Sequence, residues 1–263
     1  MASYASYKKV DGATQLIDGT VPQTAVASGV FDTWNVRYFW GSPNRCSPGC
    51  CCLWTVPSGV RRIFWEAWGS GGNGHGMCST NRCQHYAGAQ GGYYASKMIQ
   101  TAPGCQYTVC AAGTYQCESI ECYGCHGCQS YVNGHNLSNF CALGGTGGCA
   151  NSGWNEACHS DWGRCCVSPT AHGADFGMGN HRGAFFIHMS FCHCHCQGSS
   201  PTSAPFIGTS MNQNIHECWM RCGCWTSPYA HGGQGAQTTY CGGSNCCGRG
   251  STGGPGLVKV SYL

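Results

Sequence analysis

The chain has 263 residues, of which 26 are cysteine and 42 are glycine, only 9% are charged, and the net charge is +3. A cysteine content of roughly one in ten is typical of a disulfide scaffold. The small, scattered positive charge offers no basic stripe for nucleic acid or anionic lipid. No apolar run is long enough for a membrane span, and the N-terminus lacks the apolar core of a signal peptide.

The cysteine content and the N-terminus point to different redox settings. Abundant cysteine is typical of an oxidising compartment, whereas the expected lack of a secretory signal indicates synthesis in the cytosol. The protein could be made reduced and later released into an oxidising medium, as a virus particle is at lysis. Alternatively, the thiols could hold metal. The even count allows every cysteine to be bridged, but the connectivity stays open.

The chain divides into two parts by composition. Residues 1–30 are polar, contain no cysteine and predict an extended arm that attaches the chain to other proteins. Residues 31–263 predict one cysteine- and glycine-rich β domain. It begins with the aromatic, strand-like run "FDTWNVRYFWG" at 31–41. β-Branched and aromatic residues favour a further strand at 60–67, which the glycines of 69–76 are expected to end.

The middle of the chain predicts a strand pair followed by a long irregular region. Residues 89–115 indicate two strands joined by the turn "APGC", with Tyr107, Val109 and Ala111 on one face. Residues 116–183 are rich in glycine, asparagine, serine and cysteine and are interpreted as loop.

The end of the chain again predicts strands. The run "AFFIHMSFC" at 184–192 indicates a core strand, and "LVKVSYL" at 257–263 indicates a terminal strand with Val258, Val260 and Tyr262 on one face. Helical patterns are almost absent. The expected fold is therefore all-β: a glycine-rich, loop-dominated, β-sandwich-like domain, cross-linked by cysteines, with an extended N-terminal arm.

Several motifs in this order resemble a known family. The runs "VPSGVRRIFWEAWGSGGNG" and "AQGGYYASKMIQTAPGCQYTVCAAG", then a glycine-rich region and the C-terminal "GGPGLVKVSYL", are similar to the glycine-rich domain of bacteriophage tail-fibre and other virion appendage proteins. The resemblance implies a structural protein of the virus particle: a tail-fibre, tail-tip or capsid-decoration subunit assembled in the host cytoplasm. Cysteines throughout the loops are a departure from that family.

The same resemblance implies the partners. We expect residues 1–30 to contact other virion proteins, the chain to form a homo-oligomer, with a trimer as one arrangement, and the particle to meet a host-surface glycan or protein. Neither nucleic acid nor a membrane span is expected. Two alternatives stay open: a metal-binding structural protein, and a secreted cysteine-rich binding module.

Aromatic residues in the glycine-rich regions are the candidate binding residues. Trp154, Trp162, Trp225 and Tyr229 could stack on sugar rings or anchor a protein partner. The alternative is that each covers a cystine in a small local core.

The run "FCHCHCQG" at 191–198 is the first candidate metal site. On a strand, Cys192, Cys194 and Cys196 would lie on one face, and His193 and His195 on the other. The two imidazoles would lie about 6.5 to 7 Å apart along the strand, so a shared ion would need several copies around a threefold axis. Such pairs resemble the iron-binding motif of some trimeric phage fibre tips. The alternative is that the cysteines form disulfides.

A second candidate metal site is "CESIECYGCHGC" at 117–128. Cys122, Cys125 and Cys128 lie three residues apart, the spacing of zinc knuckles and of some iron–sulfur ligands. In so cysteine-rich a chain this spacing also arises by chance, and disulfides are preferred. No cofactor is assigned, and zinc or iron would be the ion if either site binds metal.

Catalysis finds little support in the sequence. The ten acidic residues are scattered, and no nucleophile elbow or phosphate-binding loop is present. We therefore predict a protein that is not an enzyme.

Overall fold

The computed structural model of the chain describes residues 34–42, 49–74, 77–79, 84–85, 89–114, 124–148, 171–179, 204–207, 229–233, 237–238, 246–248 and 250–263. These residues form strands and connecting segments, and none of them is helical. The strands are β1 (Asn35–Trp40), β2 (Gly49–Thr55), β3 (Arg62–Trp68), β4 (Met77–Ser79), β5 (Gln84–His85), β6 (Tyr94–Gln100), β7 (Gln106–Ala112), β8 (Ser130–Gly134), β9 (Leu137–Ala142), β10 (Ala171–His172), β11 (Phe176–Met178), β12 (Gln237–Thr238), β13 (Cys246–Gly248) and β14 (Leu257–Tyr262).

Two five-stranded antiparallel sheets pack face to face. The first sheet has the order β1-β14-β3-β6-β11, and the second sheet has the order β10-β9-β8-β7-β2. Two short pairs, β4 with β13 and β5 with β12, lie outside these sheets. The predicted all-β, sandwich-like fold is confirmed.

The core forms because apolar residues alternate along the central strands. Ile63 and Trp65 of β3, and Val258 and Val260 of β14, turn to the inner face of the first sheet and are completely buried. Trp54 of β2 meets Trp65 edge to face, with ring centroids 5.4 Å apart. The second sheet adds its own buried residues, which are Tyr107, Val109, Ala111, Val132, Leu137 and Phe140.

Six glycine-rich segments extend the two sheets beyond their strands, and we call them the glycine bundle. They adjoin strands such as β3, β6, β8, β9 and β14, and they lie side by side through backbone hydrogen bonds. The segments are residues 69–74, 89–93, 124–128, 143–148, 229–233 and 250–256.

The central segment of the bundle, residues 69–74, bonds to its neighbours with a period of three. Its successive N–H groups donate in rotation to three segments: 89–93, 124–128 and 250–256. A left-handed, polyproline-II-like chain produces such a rotation, because it has three residues per turn. Such a chain makes no hydrogen bonds with itself, so its N–H groups are available to neighbouring segments. The donor and acceptor pairs are Gly69 to Tyr93, Ser70 to Cys128, Gly71 to Gly254, Gly72 to Gln90, Asn73 to Cys125, and Gly74 to Ser251.

Glycine is needed in the bundle for space rather than for backbone conformation. Among the described glycines, only Gly59, Gly104 and Gly173 have positive φ, and none of these belongs to the bundle. A Cβ atom placed on Gly71 would lie 1.8 Å from the carbonyl oxygen of His231. Segments surrounded by other backbones leave no room for side chains, as at the axis of the collagen helix.

The structure corrects two predictions about the connecting regions. Residues 116–183 were expected to be loop, but they contain the β8–β9 hairpin and the short strands β10 and β11. The glycines from 69 onward end β3, as predicted, yet residues 69–74 continue as the ordered centre of the bundle. The predicted arm at 1–30 and the predicted strand at 184–192 lie outside the described residues.

Candidate functional site

The outer face of the first sheet carries a broad set of exposed apolar side chains, and we call it the aromatic face. Tyr38 and Trp40, on one side of β1, are 46% and 50% exposed. Exposed apolar side chains gathered on one face often mark a site of interaction. Its exposed apolar residues are Trp34, Val36, Tyr38, Trp40, Met98 and Phe176.

Three rings cluster at the β1 end of the aromatic face. Tyr38 stacks on Trp40 with ring centroids 5.4 Å apart, and Trp40 contacts Tyr229 at 4.7 Å. The alternation of β1 places Tyr38 and Trp40 on the same side. Tyr229 comes from the glycine bundle, so the bundle and the sheet build this cluster together.

A neutralised polar group lies at the centre of the aromatic face. Lys259 of β14 is directly opposite Glu66 of β3, and its Nζ lies 2.5 Å from Glu66 Oε2. The Tyr94 hydroxyl donates to Glu66 Oε1 at 2.9 Å. The two charges therefore compensate each other at the centre of the face.

Burial keeps the Tyr94 phenol protonated to high pH. Tyr94 is 5% exposed, and removal from water, reinforced by the negative charge of Glu66, raises its pKa from 10.0 to about 12. A group whose pKa is higher in the folded than in the unfolded chain stabilises the fold below its unfolded pKa. That contribution is therefore lost as the pH rises from about 10 toward 12.

We expect Tyr94→Phe to weaken the alkaline loss of stability, because the variant has no phenol to ionise. Absorbance at 295 nm during titration should lose one of its late-ionising tyrosines, with the raised pKa values of Tyr93 and Tyr107 accounting for others, and urea unfolding should depend less on pH above about pH 10. Tyr38→Phe, on the exposed part of the same face, is the control and should keep the late component. A late component of unchanged amplitude in Tyr94→Phe would contradict the prediction.

The opposite end of the aromatic face is covered by a short segment, residues 204–207. Trp68 Nε1 donates to the carbonyl oxygen of Pro205 at 2.7 Å, and Phe206 packs edge-on against Tyr94, with centroids 4.9 Å apart. Phe206 is 71% exposed and has a φ of 62°, which is rare for a bulky residue. The segment therefore extends the apolar surface beyond the sheet.

The predicted binding residues fall in different parts of the chain. Tyr229 lies in the aromatic cluster, beside Trp40. Trp154, Trp162 and Trp225 lie outside the described residues, so their binding role stays a prediction.

Sequence reasoning did not single out the β1 side chains. The run at 31–41 predicted an aromatic strand. Val36, Tyr38 and Trp40 lie on one side of that strand and Phe39 lies on the other, so both sides carry apolar residues. The pattern therefore does not tell which side faces water. Only the pairing of β1 with β14 turns Phe39 inward and Tyr38 outward.

Two of the predicted metal ligands lie in the glycine bundle. Cys125 and Cys128 share the segment 124–128, and their carbonyl oxygens accept hydrogen bonds from Asn73 and Ser70. Cys122, the third predicted ligand, lies outside the described residues, and the site stays a prediction.

The other predicted metal ligands cannot be placed. Cys192, His193, Cys194, His195 and Cys196 all lie outside the described residues, so both the metal and the disulfide interpretation stay predictions. Among the residues that the structure does describe, no group of three or more His, Cys, Asp or Glu side chains could hold a metal ion.

The described cysteines combine one disulfide with free thiols. Cys51 and Cys110 are bridged across the β2–β7 pair, whereas Cys105, Cys128 and Cys141 are free. Burial raises the pKa of the Cys128 and Cys141 thiols, which lowers their thiolate fraction and reactivity. Cysteine cross-linking is confirmed, but bridges do not use every cysteine.

Comparison with known protein-family models found no match, and comparison with curated proteins found no significant match. Within the described residues, no helix is long and apolar enough to cross a membrane.

Proposed function

We propose that this chain is a structural subunit of a virus particle, of the tail-fibre, tail-tip or capsid-decoration kind. The single observation that carries the proposal is the glycine bundle, a framework of backbone hydrogen bonds that continues from a two-sheet sandwich. The motifs that resemble virion appendage proteins coincide with segments of the bundle and the strands joined to them. These motifs form β3 with 69–74, 89–93 with β6 and β7, and 250–256 with β14.

The bundle gives the fold two different ends. Short turns close the sandwich at one end, as between β8 and β9, where Tyr107 donates from its hydroxyl to the carbonyl oxygen of His135. At the other end the chain leaves the bundle at Gly74 and Gly233, and residues beyond those points pair as β4 with β13 and β5 with β12. Such a fold holds one end away from the sandwich, as an appendage requires.

The bonding of the bundle suits service outside a cell. Its N–H and C=O groups are paired between segments that are distant in sequence, so a protease would have to open several segments before it could bind one of them. The Cys51–Cys110 bridge further restricts opening of the second sheet. Contact with a host surface would be an additional role of the exposed end or of the aromatic face.

The proposal can be tested with antibodies to the purified chain. Particles from the culture that yields the sequence would be separated on a density gradient, washed at high salt and labelled with gold. We expect the chain in the particle fraction, with gold on appendages for a fibre or tail tip and over the shell for a decoration subunit. Antibody preabsorbed with the chain is the control. Signal confined to the particle-free fraction would overturn the proposal.

A further inference from the structure

We propose that β1 pairs antiparallel with β1 of a second copy of this chain, about a two-fold axis through Tyr38, so that the two first sheets become one. The proposal goes beyond the structural role inferred above and does not depend on it.

The outer edge of β1 has backbone groups available for pairing. Gly41 N donates to the carbonyl oxygen of Gly256, directly opposite it in register. Hydrogen-bonded pairs alternate along antiparallel strands, so odd-numbered residues of β1 bond to β14. The N–H and C=O groups of Val36, Tyr38 and Trp40 therefore point away from the sheet, and no described residue bonds to them.

Most of the features that normally block an open edge are missing from β1. Protected edge strands are very short, carry a charged side chain such as lysine or an inward-pointing charge, or contain proline or a bulge. Arg37, on the same side of β1 as the buried Phe39, is the one such feature here. β1 has six residues, no proline, and an unbroken register with β14. Its one charged side chain, Arg37, lies over the Phe39 ring at 5.3 Å. At the opposite edge of the first sheet, β11 has only three residues.

The centre of β1 lies between Arg37 and Tyr38, and charge decides between the two registers centred on these residues. The aromatic faces of the two copies lie on the same side of the joined sheet only if the two-fold axis is perpendicular to the sheet. One residue of β1 is then paired with the same residue of the second copy. An axis through Arg37 would place two guanidinium groups opposite each other, which destabilises a strand pair. An axis through Tyr38 instead places Val36 opposite Trp40, and Arg37 opposite Phe39, where the cation can meet a ring.

The same pairing would give apolar neighbours to the exposed side chains that β1 contributes to the aromatic face. Val36, Tyr38 and Trp40 are each about half exposed in the single chain, at 45%, 46% and 50%. In the paired sheets each would gain an apolar neighbour across the new strand pair. Cross-strand pairs of aromatic and β-branched residues stabilise sheets by about 0.2 to 1 kcal/mol each.

The first test measures the mass of the full chain by analytical ultracentrifugation over a range of concentrations, after alkylation of accessible thiols. We expect twice the 27.9 kDa chain mass at high concentration. Tyr38→Lys should weaken dimerisation at least about tenfold, because two ammonium groups would meet at the axis. Met98→Lys, on the same face and 53% exposed, is the matched control and should change nothing.

Three outcomes would overturn the proposal. A chain that stays monomeric at every concentration has no such interface. Equal weakening by Met98→Lys would indicate non-specific association of the aromatic face. Leu53 lies on β2, the seven-residue edge strand of the second sheet. If Leu53→Lys weakened the dimer and Tyr38→Lys did not, the interface would lie at β2 and not at β1.

A charge exchange tests the register itself. Val36→Glu alone and Trp40→Lys alone should each weaken the dimer, and the two together should recover part of the loss, because positions 36 and 40 face each other across the axis. Val36→Glu with Tyr38→Lys is the control and should not recover. Recovery in the control pair alone would move the axis to Arg37 and overturn the proposed register.

Hydrogen exchange gives a readout that does not depend on any variant. The amides of Val36, Tyr38 and Trp40 should exchange quickly in dilute protein and become protected as the concentration rises. The amides of Arg37 and Phe39, bonded to β14, should be protected throughout. Fast exchange of the first set at all concentrations would overturn the proposal.

Discussion

Replacement of Gly71 by alanine is expected to destabilise the chain by more than about 4 kcal/mol, a loss seen only when packing or a buried network is broken. The new Cβ would lie 1.8 Å from the carbonyl oxygen of His231 and 2.8 Å from the amide nitrogen of Gly232. Both atoms belong to the backbone, so no rotation of a side chain can relieve the overlap. Urea unfolding followed by tryptophan fluorescence would measure the loss.

Gly59→Ala separates the effect of space from the general effect of losing a glycine. Gly59 has a φ of +85° and no atom within 4 Å of an added Cβ. We expect a loss of about 1 kcal/mol, from backbone conformation alone. Similar losses at both positions would contradict the close packing of the bundle.

Removal of the Cys51–Cys110 disulfide should be the second largest effect. The bridge closes a loop with a sequence separation of 59 residues, and bridges of this kind contribute about 2 to 4 kcal/mol by restricting the unfolded chain. We expect the double variant Cys51→Ala with Cys110→Ala to lose stability in this range. Both cysteines must be replaced, because a single replacement leaves a thiol able to form wrong pairs with other cysteines.

Cys105→Ala is the control for this experiment. Cys105 is a free thiol that packs partly against the main core, so its loss removes a small contact but no cross-link. We expect a cost below about 1 kcal/mol, in keeping with a partly exposed position. If the double variant were as stable as the parent chain, the backbone pairing of β2 with β7 alone would hold this edge.

The strands that sequence reasoning placed correctly have a clear local pattern. Residues 62–68, 94–112 and 257–262 are rich in β-branched and aromatic residues, and their turns contain proline and glycine. Strand conformation and the buried face follow from that alternation wherever one side meets a core.

The β8–β9 hairpin was missed because its pattern is interrupted. Val132, Leu137 and Phe140 are buried, but a register shift between Val132 and Gly134 breaks their alternation. A β-bulge of this kind changes which side a residue faces without leaving a strong sequence signal. The asparagines and glycine around it are typical of a loop.

The candidate site was predicted only in part. Tyr229 was identified as a binding aromatic residue, but its neighbours Tyr38 and Trp40 come from a strand about 190 residues earlier in the chain, as the β1–β14 pairing reveals. Contacts between distant parts of a chain cannot be deduced from local patterns.

The sequence by itself determined that this protein is built from strands, is cross-linked by cysteine and relies on glycine, because each of these depends on residue type and short-range pattern. Tertiary structure alone decided what the glycines do. They bring six segments together at distances that only a residue without a Cβ allows. It also decided that β1 ends a sheet within the part of the chain that the structure describes, because an edge depends on which strands lie beside it.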